Sequence, residues 1–353
     1  MSVLVVLDPG SRTLVQDLGF RGGRDRGVPR SGVLDRDGLT LLNGLLGNPA
    51  GTAALEIAVT APRFRVEDGP VRIACGAGLS GHVLRAGEKV GLDEWSAVTL
   101  ASGDELVLLA PARGGTALLG IKGGLNLPRL FDSHATLLTS VIGGLEGRAL
   151  RTGDRLHIAA AACDSAPMRL SGRLKPFGCI RVVLGPQAEW FSDAALQEFL
   201  SADWLVTPAL DRMGMRLLGP ALAHSERGAD IISDGVVPGA IQVPAEGQPI
   251  VLLADAQTTG GYPKIATIIS ADLSAVARMV PGDRLRFRAI SVAEAEEAAR
   301  DHARALERIC ESAEAMPVSP SEALYRCNLV SGGVNARQPD HFPGHLEPRT
   351  GGT

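Results

Sequence analysis

Short apolar runs separated by Gly, Pro and Asp dominate the chain. Examples are VLVVL from Val3, RVEDGPVRIAC from Arg65 and DELVLLAPA from Asp104. Runs this brief, with polar residues interleaved, predict many short strands and a mainly β fold of barrel or sandwich type. Only three segments carry a helical period. Asp35 to Gly47 sets Leu39, Leu42, Leu45 and Leu46 on one face, with Gly47 as the stop. DAALQEFLS follows Ser192, a good N-cap. The third starts at Ser291, where Ser291 and Glu294 form a capping-box pattern and SVAEAEEAARDHARALERICESAEA runs on without Gly or Pro. It is expected on the outside of the second domain.

One turn recurs. SGDELVL begins at Ser102, TGDRLHI at Thr152 and PGDRLRF at Pro281. Gly-Asp is good turn chemistry and each copy leads into an alternating strand, so the pattern reads as architecture rather than a site. GVPRSG at Gly27 and GVVPGA at Gly235 echo each other more weakly. Together the repeats suggest two related β domains in tandem, 1–165 and 177–290, divided within the Ala/Pro-rich segment 159–176. A helix and final strand, 291–336, then pack on them, and the Pro/Gly-rich residues 337–353 form a mobile tail.

The chemistry concentrates between Ile250 and Ile269. Two strand-like runs, Ile250–Ala254 and Ile265–Ile269, bracket DAQTTGGYPK. That linker exceeds the two to five residues of an ordinary hairpin loop. It carries Asp255, Gln257, Thr258, Thr259, Tyr262 and Lys264, and Gly260 and Gly261 free the backbone to turn or approach a ligand. Two readings stand: a solvated loop, or a site held by rigid strands. Asp255 and Lys264, at the two strand mouths, are placed to close as an ion pair.

Composition narrows the classes. The 353 residues are 45% hydrophobic but only 4% aromatic, with 43 Gly and 22 Pro, which suits a large core built of turns and strands. A net charge of -4, with no Lys/Arg-rich run, gives no electrostatic case for nucleic acid or anionic membrane. Cys75, Cys163, Cys179, Cys310 and Cys327 are scattered and odd in number, the usage of free thiols in a reducing compartment. MSVLVVLDPG lacks the basic start and apolar length of a signal peptide, and no run approaches the roughly 18 apolar residues of a membrane span. A cytoplasmic protein is expected.

Familiar ligand motifs fail. GAGLSG at Gly76 fits GxGxxG, but HVLRAGEKVG follows where a dinucleotide site needs a helix, so a tight β turn is the better reading. There is no GxxxxGK[ST] and no GxSxG. ATP, if used, needs a partner chain or an unrecognised site. His341 and His345 are separated by FPG in the tail, so no metal site is expected, and no biotinyl-lysine context is visible.

Several segments in order resemble the family called allophanate hydrolase subunit 2, or KipA. It includes the C subunit of bacterial 5-oxoprolinase and part of the carboxyltransferase region of urea carboxylase. The segments are TLVQDLGFRGGRDRGVPRSGVLD from Thr13, LGNPAGTAALEI from Leu46, GGLEGRALRTGDRL from Gly143, DRMGMRLLGP from Asp211, the stretch from Ser233 to Ile269 containing DAQTTGGYPKIAT, and NLVSGGV from Asn328. Met215 departs from the Tyr common in relatives, which puts any role of that phenol in doubt. The resemblance implies two tandem cyclophilin-like β barrels with a few peripheral helices. It also implies ATP-driven opening of 5-oxo-L-proline to L-glutamate with two partners: a homologue of the A subunit, and a KipI-like B subunit.

On that reading Lys264 pairs with a carboxylate or phosphate, and Asp255 serves as general base or orients water. Gln257, Thr258, Thr259 and Tyr262 position the substrate amide, with Gln242 facing the same cleft. Gln16, Asp17, Arg24 and Ser31 form a comparable polar, Gly-rich stretch in the first half. Glu56, alone among apolar neighbours, either salt-bridges an arginine or lines the site, because a buried charge needs a partner. Two other functions fit the same residues: biotin-dependent carboxyl transfer to urea or a related amide, and regulatory capture of a KipI-type kinase inhibitor.

Overall fold

The computed structural model describes residues 2–76, 78–111, 115–159, 166–172 and 178–316. The expected tail, the final strand beyond residue 316, Cys163, Cys327, His341 and His345 lie outside these residues. Among the described residues no helix is long and apolar enough to cross a membrane.

The fold is mainly β. In the first half, two sheets face each other across an apolar core. One runs in the order Arg155–His157, Val3–Asp8, Arg63–Glu67, Glu105–Leu109, Ser80–Arg85, Glu88–Leu92. The other runs Arg12–Gln16, Ala54–Ala58, Thr116–Ile121, Val71–Cys75, Ser96–Leu100, Met168–Leu170, Ala313–Ala315. Leu4, Val6, Phe64, Val66 and Leu106 meet Val15, Leu55, Ile57, Ile73 and Leu119 between them. The two-residue period of a strand then turns Ala54 and Glu56 to the opposite face. There helix α1, Arg36–Leu46, lays Leu39, Leu42, Leu45 and Leu46 on the sheet. Asp35 caps it by accepting from the Gly38 N–H at 3.0 Å, and Gly47 ends it in the left-handed region at φ 62°.

The second half holds an eight-stranded sheet, in the order Arg284–Leu285, Trp204–Leu210, Gly214–Leu218, Ile250–Leu252, Ala240–Gln242, Lys264–Ile268, Ile180–Leu184, Phe287–Ala289. Its two outermost strands are almost consecutive in the chain. Residues 284–289 therefore pass from one edge to the other and nearly close the sheet into a barrel. Trp204, Val206, Met215, Leu217, Ile241, Val251 and Ile265 fill it. Helix α2, Asp193–Ser201, adds Phe199, stacked on Phe287 at 4.6 Å and receiving the Trp204 indole N–H on its carbonyl at 3.0 Å. Ser192 caps α2 through the Ala195 N–H, as its sequence position predicts. Met215 is fully buried in this apolar interior. A phenol there would need a partner for its hydroxyl.

The three Gly-Asp turns share one hydrogen-bond pattern. Asp104, Asp154 and Asp283 each accept on a side-chain oxygen from the backbone N–H three residues earlier, at 2.7, 2.7 and 3.0 Å. Each preceding glycine donates to the carbonyl of a strand valine, and that valine's N–H returns to the aspartate carbonyl: Val66, Val6 and Val206 in turn. The repeat is structural, and Gly103, Gly153 and Gly282 supply the φ near +90° it requires. GAGLSG is likewise followed by a strand, Ser80–Arg85, and not by a helix.

After helix α3, Leu273–Ala277, comes α4, Val292–Glu311, opened by the expected capping box. It packs more widely than the outside of the second barrel. His302 Nε2 lies 2.9 Å from Asp37 of α1, and Cys310 fills the space over Gly44, where any side chain would clash.

Candidate functional site

Glu56 is buried and meets Arg212, the residue that completes the seam between the two halves. Arg212 also grips Asp255 with two nitrogens, Nε to Oδ2 at 2.8 Å and Nη2 to Oδ1 at 2.9 Å, and donates to the Gly32 carbonyl at 2.6 Å. Ser31 gives its hydroxyl to Asp255 at 2.6 Å, and the Leu34 N–H caps Glu56 at 2.8 Å. Burial alone would lower the pKa of Arg212, but Glu56 and Asp255 outweigh it and hold the guanidinium above its ordinary value. Ser31 sits in the left-handed region at φ 52°, tied by its N–H to the Ala254 carbonyl at 2.9 Å. Such a backbone costs about 1–3 kcal/mol and persists only where surroundings impose it.

This cluster changes the reading of two residues. Glu56 is a paired structural carboxylate. Asp255 spends both oxygens on Arg212 and Ser31, so the structure does not present it as a free base. The expected pair between Asp255 and Lys264 does not form either. Lys264 extends its amine to Asp234 at 2.8 Å, and Gln187 accepts its backbone N–H at 3.3 Å.

The DAQTTGGYPK linker is also less open than its length suggests. Thr259–Gly260 pairs as a short strand with Asp234–Gly235, and the Thr258 carbonyl takes the Val236 N–H at 3.0 Å. These bonds fold residues 231–237 and 254–262 over the outer face of the barrel, where Val236, Ala240, Leu252 and Ala256 make a small second core. Thr258 and Thr259 contribute backbone to this cover, and neither lines the cavity beside it.

That cavity, of about 490 Å³, lies on the same outer face. Gln242, Gln257 and Tyr262 all line it, together with Arg216, Ile250 and Leu252. Strand register explains the grouping. Arg216 stands opposite Ile250, Ile250 opposite Gln242, and Gln242 opposite Lys264, on four adjacent strands. Cross-strand partners share a face. A transverse row results: guanidinium, aliphatic wall, amide, amine. Gln242 is 2% exposed, and its Nε2 is a buried donor with no partner among the described residues. Buried polar groups are nearly always satisfied, so an orphan on a residue that lines a cavity stands out. Arg216 is exposed and holds Glu246 only loosely, at 3.7 Å. The glycine at 260 makes room: a Cβ there would fall 2.5 Å from Gln242 Nε2.

The other candidates lie apart from this row. Gln16 is fully buried and donates to the Thr136 carbonyl at 2.8 Å, with its Oε1 unpartnered. Asp17 accepts from the Gly19 N–H at 2.8 Å, the Ser133 hydroxyl at 2.6 Å and the His134 N–H at 2.7 Å. Arg24 begins a short 3-10 turn, Arg24–Arg26, and donates to the Val236 carbonyl. Sequence reasoning passed over Arg212, Arg216 and Asp234. The alternation of Met215, Arg216 and Leu217 does signal an outward Arg216, but not what stands beside it.

Comparison with known proteins fits this architecture. A family profile described as "Carboxyltransferase domain, subdomain A and B" matches residues 26–289. The chain belongs to this carboxyltransferase-domain family. Within it, the chain is 36% identical to the 5-oxoprolinase C subunit of Escherichia coli, over 87% of this chain and 97% of that protein. It is 33% identical to the 5-oxoprolinase C subunit of Haemophilus influenzae, over 82% and 92%. The crystal structure of the Kluyveromyces lactis urea carboxylase superposes with a TM-score of 0.78 at 26% identity. It covers 90% of this chain, which spans only 30% of that much longer protein. The carboxyltransferase-domain fold thus accounts for both halves of the chain.

Proposed function

We propose that this chain is the C-type component of an ATP-dependent 5-oxoprolinase. It opens 5-oxo-L-proline to L-glutamate together with a homologue of the A subunit, and with a KipI-like B subunit. The observation that carries the reading is the unpartnered, buried Nε2 of Gln242, a residue that lines a cavity with Arg216 two strands away. The similarity to two 5-oxoprolinase C subunits supplies the substrate.

A cyclic amide bearing a carboxylate matches the row group by group. Gln242 donates to the lactam oxygen, Arg216 pairs with the ring carboxylate, and Ile250 and Leu252 face the ring methylenes. Tyr262 and Gln257 close the mouth. Ring opening is uphill or nearly so without coupling. In the proposed chemistry the amide oxygen attacks the terminal phosphoryl group of ATP and releases ADP. Water then adds to the activated carbon, the ring C–N bond breaks with its electrons going to nitrogen, which takes a proton, and a second water displaces phosphate from the resulting acyl phosphate to leave the carboxylate. Donors aimed at the oxygen where charge develops are worth most in such a step. Lys264 stands opposite Gln242 on the next strand but does not line the cavity, so in this proposal it steadies that charge only after exchanging Asp234 for the substrate. Free thiols at Cys75, Cys179 and Cys310 suit the cytoplasm, where such an assembly would work.

The test is reconstitution with the partner subunits and measurement of glutamate formed from oxoproline. Oxoproline-dependent ATP hydrolysis that falls with Gln242→Ala is expected. Its absence in the full assembly would refute the proposal. The family description and the likeness to urea carboxylase favour one other reading, carboxyl transfer to a urea-like amide. Turnover that requires a biotinylated carrier would establish that one instead.

A further inference from the structure

A second cavity, of about 800 Å³, opens in the first half and takes no part in the row described above. Arg21, Arg129 and His134 line it, with Asp17 and Asp132. Arg129 Nε donates to His134 Nε2 at 3.2 Å. Nε2 must then carry a lone pair, which assigns the imidazole proton to Nδ1, 3.3 Å from the Pro128 carbonyl. His134 occupies one donor of Arg129 and brings no negative charge to it.

Arg21 enters from the loop Phe20–Arg30, closed at its base by the Phe20 N–H on the Arg30 carbonyl at 2.7 Å. The loop carries Arg21, Arg24, Arg26 and Arg30 against the single carboxylate of Asp25. Among the described residues none of these arginines, nor Arg129, forms an ion pair with a carboxylate. The crowding is felt within the loop, where burial first, and then Arg21 and Arg24, hold Arg30 below its ordinary pKa. The acids of the cavity do not relieve it. Asp17 is committed to three donors, and Asp132 is exposed.

We infer that this cavity binds a phosphoryl-type oxyanion between Arg21 and Arg129. Planar guanidinium forks give paired, charge-assisted hydrogen bonds to phosphate oxygens, and a dianion answers two unpaired arginines better than one carboxylate does. The inference rests on the proposed function only for the source of the phosphoryl group, ATP or the inorganic phosphate it releases.

Calorimetric titration of the full chain with inorganic phosphate, ATP, ADP and acetate tests it. Saturable binding of phosphate or ATP is expected, weakened at least tenfold in the double variant Arg21→Ala with Arg129→Ala and unchanged in the surface control Arg304→Ala. Arg21→Lys with Arg129→Lys, which keeps charge but loses the forks, should weaken it in part and guards against a folding artefact. ATP binding without ADP binding identifies the terminal phosphoryl group, and binding of phosphate itself identifies the released ion. No saturable binding of either, binding unchanged in the double alanine variant, or acetate bound as tightly as phosphate would overturn the inference. If phosphate fails to bind while the assembled complex still turns over oxoproline, only this inference falls. If phosphate binds and the complex is inert, the proposed function falls instead.

Discussion

Gln242 and Lys264 face each other across neighbouring strands, yet only Lys264 has a partner: its amine meets Asp234 at 2.8 Å, while the Gln242 amide nitrogen is buried and unpaired. An unsatisfied buried donor costs about 1–3 kcal/mol. Gln242→Leu is therefore expected to raise stability in urea denaturation by about 1 kcal/mol while lowering oxoproline turnover. A variant both less stable and fully active would show that the amide serves packing instead of a ligand.

Gly260→Ala tests the same nitrogen from the other side. The new Cβ would stand 2.5 Å from Gln242 Nε2, and the flexible amide, not the backbone, would give way. The fold should survive, and KM for oxoproline should rise about tenfold, the worth of one hydrogen bond near 1.4 kcal/mol. An unchanged KM would place the substrate elsewhere.

Arg212→Met leaves Glu56 and Asp255 buried without their shared cation. Breaking a buried pair from one side costs about 3–5 kcal/mol. The variant should lose that much stability in chemical denaturation at neutral pH, and Glu56→Gln with Asp255→Asn in the same background should recover part of it. A loss below about 1 kcal/mol, the scale of a surface pair, would mean that the cluster does not clamp the halves.

Asp154 links a Gly-Asp turn to pH. Burial alone would raise its pKa, but the Arg148 fork at 2.7 and 3.0 Å and the Arg151 N–H outweigh burial and hold it below 3.8. The unfolded chain then binds more protons in acid than the folded one, so this contribution is present above pH 3.8 and is lost as pH falls through the lower folded value. Asp154→Asn should shallow the acid limb of a stability–pH curve measured by urea midpoints. An unaltered limb would contradict the assignment.

Features written in local sequence are legible without the fold. Ser291 and Glu294 specify a helix start, Gly47 its counterpart at a helix end, and the Gly-Asp dipeptides a turn whose aspartate side-chain bond closes within four residues. Glu56, isolated in an apolar strand, announces a cation but not which one. Arg212 is 156 residues away and is brought there only by the docking of the two halves. The partner of Lys264 is hidden for a related reason. Its neighbours depend on pairing with Ala240–Gln242, and the register shifts by an irregularity between Ile241 and Gln242, which neither strand records alone. Arg216 escapes notice because a transverse row takes one residue from each of four strands and leaves no motif in any of them.

The central claim is that this row holds a carboxylate-bearing cyclic amide. Calorimetric titration of 5-oxo-L-proline into the assembled complex, with wild-type chain and with Gln242→Leu and Arg216→Ala, measures it directly. The account predicts saturable binding in the wild type that weakens at least tenfold in each folded variant. Equal affinity in all three would contradict it.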